Sequence, residues 1–182
     1  MSDHVHASVD LFQVSLLKTL FLLRHAKSSW DDASLDDHDR PLKLRGIKAA
    51  KRIGRLIRSE KLCPALVLCS TAVRARETWK LVQDEARFDA PIEYAKNLYH
   101  CAPDAFVSAL HSLHWDLPSV MVIGHNPGLE EFLSHLVGEP QAMPTGALAC
   151  IEVELPNWSE FSMSTRGRLI DLWRPRELKL SE

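Results

Sequence analysis

No stretch of the chain approaches the roughly eighteen consecutive apolar residues of a membrane-spanning helix. Residues 1 to 18 carry Asp3 and Asp10, with no early basic region and no small-residue cleavage pattern. A cytoplasmic protein with no membrane association is therefore expected. Cysteine is scarce: Cys63, Cys69, Cys101 and Cys150 are scattered without a CxxC or a Cys/His cluster, which argues against a zinc site or a disulfide framework and reads as reduced thiols. The histidines at 4, 6, 38, 111, 114 and 135 show no ligand spacing with carboxylates, so neither a metal nor a cofactor is expected. Charge of one sign is also lacking. With 22 basic and 24 acidic side chains the formal charge is -2, too little for a whole-protein field that gathers nucleic acid. There is no internal repeat and no low-complexity tract.

What is present is enough for one core. At 182 residues and 46% hydrophobic, the chain can bury roughly two thirds of the surface its unfolded form exposes. Residues 1–17 read as a short N-terminal extension and 18–182 as a single domain. Apolar runs at 15–23, 65–69, 92–98 and 118–123 read as strands. Between them, helical spacing of Leu44, Ile47, Ala50, Ile53, Leu56 and Ile57 predicts an amphipathic helix with a basic outer face, most simply a solvated one. Further helices are expected after Ser70-Thr71, which can cap the next one, over 104–113 after Pro103, and over 129–137 up to Gly138. Two last strands, 147–155 and 167–173, suggest an antiparallel hairpin at a sheet edge. Strands alternating with helices predict an α/β fold, a mostly parallel doubly wound sheet with helices on both faces.

Three of the strands end in polar residues: Arg24-His25-Ala26-Lys27 after the first, Ser70 to Arg74 after the second, and Gly124-His125-Asn126-Pro127 after the fourth. An α/β sheet builds its ligand crevice at the carboxyl ends of its strands. Two arginines and two histidines there suit a phosphoryl group, because the guanidinium stays charged and its planar fork binds two oxygens at once. At an effective dielectric of about 20, one opposite charge near 4 Å is worth on the order of 4 kcal/mol before desolvation.

The ordered segments Leu23-Arg24-His25-Ala26-Lys27-Ser28, Ser70 to Thr78 and Ile123-Gly124-His125-Asn126-Pro127 resemble the histidine phosphatase superfamily. The Arg-His-Ala-Lys-Ser start, the loop with five aspartates from Asp31 to Asp39, the following Arg40-Pro41-Leu42, Arg45-Gly46 and the Gly-His-Asn-Pro run are more closely similar to the SixA-like phosphohistidine phosphatases. That resemblance implies a phosphoglycerate mutase-like fold and a metal-independent phosphatase. It implies His25 as nucleophile through a covalent phosphohistidine, Arg24 and Arg74 as clamps on the phosphoryl oxygens, and His125 stabilising the transition state. Lys27, Ser28 and Asn126 become candidate phosphate or substrate contacts. The two arginines should lower the pKa of His25 and keep a nitrogen unprotonated near neutral pH.

The chain departs from the commoner superfamily pattern at Ala26, where glycine is usual, and at Asp31, an acid that would repel a phosphate. The general acid is the main gap. Asp104 is the candidate, with a first-turn helix residue as the competing reading. A weak acid favours a leaving group that needs little protonation, such as an imidazole, so a histidine-phosphorylated partner protein is the expected substrate. A small phosphorylated metabolite is the alternative, and a non-catalytic phosphate-binding or scaffold domain the third reading. Oligomeric state is left open.

Overall fold

The computed structural model describes residues 17–113 and 117–178. The leading segment 1–16, and with it the first two residues of the expected first strand, lies outside the described residues.

Six strands form one mixed sheet: β1 (Leu17–Arg24), β2 (Leu66–Ser70), β3 (Ile92–Ala95), β4 (Ser119–Gly124), β5 (Leu148–Glu154) and β6 (Gly167–Trp173). Their order is β3-β2-β4-β1-β5-β6. The pairs β3/β2, β2/β4 and β4/β1 are parallel, while β5 runs antiparallel to both β1 and β6. The expected edge hairpin is there, and β5 also pairs directly with the central β1.

Side-chain alternation divides the core into two layers. From β1, Leu20 and Leu22 face one side with Leu66, Leu68, Val120 and Val122. Phe21 and Leu23 face the other with Val67, Cys69, Met121 and Ile123. Helices α3 (Pro103–His111) and α4 (Gly128–Val137) cover the first face through Phe106, Leu110, Phe132 and Leu133. Helices α1 (Leu44–Ser59) and α2 (Val73–Ala86) cover the second through Ile53, Ile57, Trp79 and Val82. This is the doubly wound α/β architecture.

Two differences from the sequence reading matter for the site. The third strand stops at Ala95, and Lys96–Leu98 form a 3₁₀ turn that carries Leu98 into the core at 0% exposure. Tyr99 and His100 are thereby turned toward the ends of β2 and β4. Nor does Ser70 or Thr71 cap α2: Ala72 is the N-cap residue and makes no side-chain cap bond. Two glycines permit close approaches around the same sheet end. A Cβ on Gly46 would stand 2.2 Å from the Lys27 carbonyl oxygen, and one on Gly128 1.9 Å from that of Cys101. Each would force backbone apart.

Candidate active site

Arg24 is the last residue of β1, His25 follows it, His125 follows β4, and Arg74 lies in the first turn of α2 after β2. These strands are adjacent and parallel, so their carboxyl ends meet at one crevice. The rings of His25 and His125 lie 4.8 Å apart between centroids.

His25 is 8% exposed, and its Nδ1 sits 2.7 Å from the carbonyl oxygen of Ala26. A carbonyl only accepts, so Nδ1 carries the proton and Nε2 keeps its lone pair. Burial pushes the pKa down to about 3; the bond to Ala26 opposes this, and Arg74, Arg24 and Arg40 add to it. The expected direction holds. Desolvation rather than the arginines is the larger cause, and three arginines contribute instead of two. Ala26 itself is buried without a left-handed backbone, and its N–H donates to Thr78 Oγ1 at 2.9 Å. Thr78 in turn donates to the Arg74 carbonyl at 2.6 Å, fixing the end of β1 to α2.

His125 is equally dry. Its pKa falls to about 2, through burial first and then the neighbouring His25, Arg74 and His100, with Asp37 opposing. Its Nε2 lies 2.8 Å from Ser70 Oγ. That hydroxyl also receives a long bond, 3.4 Å, from the Ala72 N–H. A hydroxyl with a donor already pointing at it suits donation of its own proton to Nε2, which leaves the His125 proton on Nδ1.

Both arginines are held from behind. Arg24 Nη1 donates to the Met143 carbonyl at 2.8 Å. Asn126 Nδ2 donates to the same carbonyl at 3.2 Å and to Glu130 Oε2 at 2.9 Å, and that oxygen accepts the Met143 N–H at 2.7 Å. Burial lowers the pKa of Arg24 and the Glu130 charge opposes this. Arg74, 3% exposed, donates Nη2 to Asp37 Oδ2 at 3.0 Å and Nη1 to the Asp37 carbonyl. Four buried side-chain polar atoms have no hydrogen-bond partner among the described residues: Arg24 Nε, His125 Nδ1 and Asn126 Oδ1 at this site, and Trp79 Nε1 in the core.

Sequence reasoning missed the group that braces Arg74. Asp37 Oδ2 also accepts from Tyr99 Oη at 2.6 Å and lies 3.1 Å from His100 Nε2, while Oδ1 accepts from Arg40. Burial alone would raise its pKa, but the bonds from Tyr99, His100 and Arg40 and the charge of Arg74 outweigh that and hold it well below the carboxylate range. Arg40 is buried beneath the Trp30 ring, its guanidinium carbon 3.2 Å from the centroid, and donates to Ser28 Oγ at 2.6 Å and the Ser29 carbonyl at 2.7 Å. His100 stacks on His125 at 5.5 Å and 12°, from a backbone with φ of 48°. A non-glycine residue in that region is uncommon and is kept by surrounding contacts. Asp37 is one of five aspartates in its loop, and only Arg40 three residues on, free to return onto it, sets it apart in the sequence.

The remaining candidates separate. Ser28 is buried and occupied by Arg40, and Asn126 braces Arg24. Lys27 is half-buried and lines a cavity between α1 and the segment before β5. Asp104 is exposed in the first turn of α3, and among the described residues its carboxylate makes no hydrogen bond to a pocket group. Asp31 pairs with Lys43 at 3.2 Å on the surface. The carboxylate brought to the site is Asp37.

Among the described residues no helix is long and apolar enough to cross a membrane. Residues 20–102 match the histidine phosphatase superfamily (branch 1). An uncharacterized chloroplastic protein of Arabidopsis thaliana is 35% identical over 163 residues, 84% of this chain and 75% of that one. The phosphohistidine phosphatase SixA of Escherichia coli is 30% identical over 139 residues, 74% of this chain and 85% of its own. The crystal structure of a putative phosphohistidine phosphatase SixA from Agrobacterium tumefaciens superposes with a TM-score of 0.75 at 31% identity, covering 87% of this chain and 98% of that one. With the paired histidines and arginines at the same sheet end, these likenesses make the chain a SixA-like member of the histidine phosphatase superfamily, a phosphoryl hydrolase by family.

Proposed function

We propose that this protein removes the phosphoryl group from a phosphohistidine on a partner protein, through a covalent intermediate on His25. The observation that carries the reading is the neutral His25, with Nδ1 committed to the Ala26 carbonyl and Nε2 free. Nε2 attacks phosphorus, and the bond from phosphorus to the substrate imidazole breaks with its electron pair left on nitrogen. A proton on the remote ring nitrogen lets that group depart as neutral imidazole. Water then attacks the phosphorylated His25. The Nδ1 proton, still held by Ala26, makes this ring a neutral leaving group in its turn, and orthophosphate is released.

Arg24 Nε and His125 Nδ1 are buried donors in need of an acceptor, and a phosphoryl oxygen supplies one. The positive charge for the reaction comes from Arg24 and Arg74. Substrate class follows from the acid. Asp37, the carboxylate at the pocket, is held ionised, and exposed Asp104 stays an acid only by proposal. An alkoxide leaving group needs a proton from the enzyme, whereas an imidazole brings its own. The name of the Escherichia coli relative agrees with this substrate. The reading includes the cytoplasmic setting expected from the sequence.

The test is phosphate release from a histidine-phosphorylated phosphocarrier domain, beside phosphoserine and sugar phosphates, with acid quenching to trap label on the enzyme. Release from phosphohistidine, label on wild type and neither in His25→Ala is expected, a loss on the order of 10⁶-fold. Preference for a phosphate ester would replace the substrate with a metabolite. Binding of all three without release would leave a scaffold.

A further inference from the structure

A second cationic site stands apart from the histidines. A cavity of about 490 Å³ opens between α1, the segment Pro144-Thr145 and the turn after β6. Arg45, Lys48 and Arg52 line it from α1, Lys27 from the end of the nucleophile loop, and Arg174 and Arg176 from the turn. Glu177 is the single carboxylate in the lining.

Several cations elsewhere on the surface have carboxylate partners. On the neighbouring stripe of α1, Lys51 and Arg55 share Glu85 at 3.6 and 3.8 Å; Lys43 has Asp31, and Arg168 has Glu152. In the cavity only Arg174 has such a partner, Glu177 at 3.6 Å. Lys27, Arg45, Lys48 and Arg176 have no carboxylate within 4.0 Å among the described residues. Arg45, Lys48 and Arg52 sit three and four residues apart on one helix face, where like charges destabilise the helix. A chain of formal charge -2 that gathers cations into a concavity, at a cost to its own helix, holds a site waiting for negative charge.

We propose that this cavity binds a compact polyphosphate, a chain of two or more linked phosphate groups either free or carried by a nucleotide. Its volume falls in the small-molecule range, roughly 300–1,000 Å³. Six cations converging on one short concavity suit the closely spaced charges of linked phosphates better than isolated carboxylates spread over a protein surface. Walls from three separate elements bring these charges to bear on a short charged chain from several sides.

The experiment is calorimetric titration of tripolyphosphate, ATP, adenosine and hexaglutamate into the full chain, with saturating tungstate present to fill the catalytic pocket. One equivalent of tripolyphosphate or ATP should bind and adenosine should not, with affinity falling severalfold between 50 and 200 mM salt, roughly as screening requires. Arg45→Gln/Lys48→Gln, both exposed, and Arg176→Gln on the opposite wall should each weaken binding about tenfold or more, the effect of a lost charged hydrogen bond, while phosphatase turnover is unchanged. ATP binding above tripolyphosphate assigns the nucleotide form, and equal binding assigns the free chain. No binding to tungstate-filled wild type, equal binding to both variants, or tighter binding of hexaglutamate would each overturn the proposal. Binding is read without turnover, so its failure is separate from that of the phosphatase reading.

Discussion

The molecule holds two places that attract anions, separated by little more than Lys27 and the segment before β5, and they are built on opposite plans. In the catalytic pocket each cation already has protein partners: Arg74 and Arg40 on Asp37, Arg24 on the Met143 carbonyl. Both histidines there are neutral and buried. In the outer cavity Arg45, Lys48 and Arg176 stand exposed with no carboxylate partner, while Arg52 donates to the Pro175 carbonyl at 3.0 Å and Arg174 pairs with Glu177. The first arrangement fixes positions before substrate arrives, so little reorganisation is needed when charge develops. The second offers attraction without fixed geometry, which suits holding a ligand and not transforming it. In the two proposed functions catalysis rests on where the charges are, binding on how many there are.

Conservative exchange of the cation tests that contrast hardest. Arg74→Lys keeps the charge and loses the fork that spans the site, and kcat/KM should fall roughly 10²–10³-fold, as for loss of one preorganised donor. Arg45→Lys in the outer cavity should change tripolyphosphate affinity by less than about threefold, because a screened charge survives. Steady-state kinetics and titration on the same two proteins check both. Equal effects at the two sites would break the contrast.

The same contrast explains what was legible in the sequence. Strand ends announce themselves: an apolar run stopped by Arg24-His25, or by Gly124-His125, needs no tertiary information, and the two-residue alternation along β1 already separates the faces that α1 and α4 cover. Asp37 was illegible for the opposite reason. Its partners Arg74, Tyr99 and His100 are 37, 62 and 63 residues away, so apart from Arg40 three residues on nothing local tells it from the other aspartates of its loop. Ser70 was misread because a serine before a helix has a good local partner, and here its hydroxyl goes instead to a histidine 55 residues on. The outer cavity was half legible. The basic face of α1 was plain, and the segment Pro144-Thr145 and the return of the chain at 174–177 make it concave.

Burial of neutral histidines gives the pocket an acid sensitivity the outer cavity lacks. His25 and His125 ordinarily titrate near 6.5 and do so near 3 and 2 when folded, so between those values the unfolded chain binds more protons. Stability is therefore lost as pH falls through that window. At pH 5 each histidine should cost about 2 kcal/mol relative to neutral pH. Denaturant unfolding of wild type and His125→Asn at pH 7.5 and 5.0 measures this, with the variant expected to lose less on acidification. The same loss in both proteins would mean that His125 is as well hydrated as a surface histidine.

The smallest expected effect is the most instructive about the pocket, because Asp37 can act on Arg74 in two opposed ways. It holds the guanidinium in place through Oδ2 and its own carbonyl, and its negative charge competes with any oxyanion for that guanidinium. Asp37→Asn separates the two. The carbonyl contact and a side-chain oxygen remain, while the charge goes, and with a carboxylate side chain 36% exposed that charge is partly screened. Inhibition by tungstate should therefore tighten by a few fold at low salt, roughly as far as screening allows, and the gain should vanish as ionic strength rises. Weaker inhibition would instead mean that the carboxylate's grip on Arg74 outweighs its repulsion of the anion, and the pocket would then depend on its internal acid for its shape.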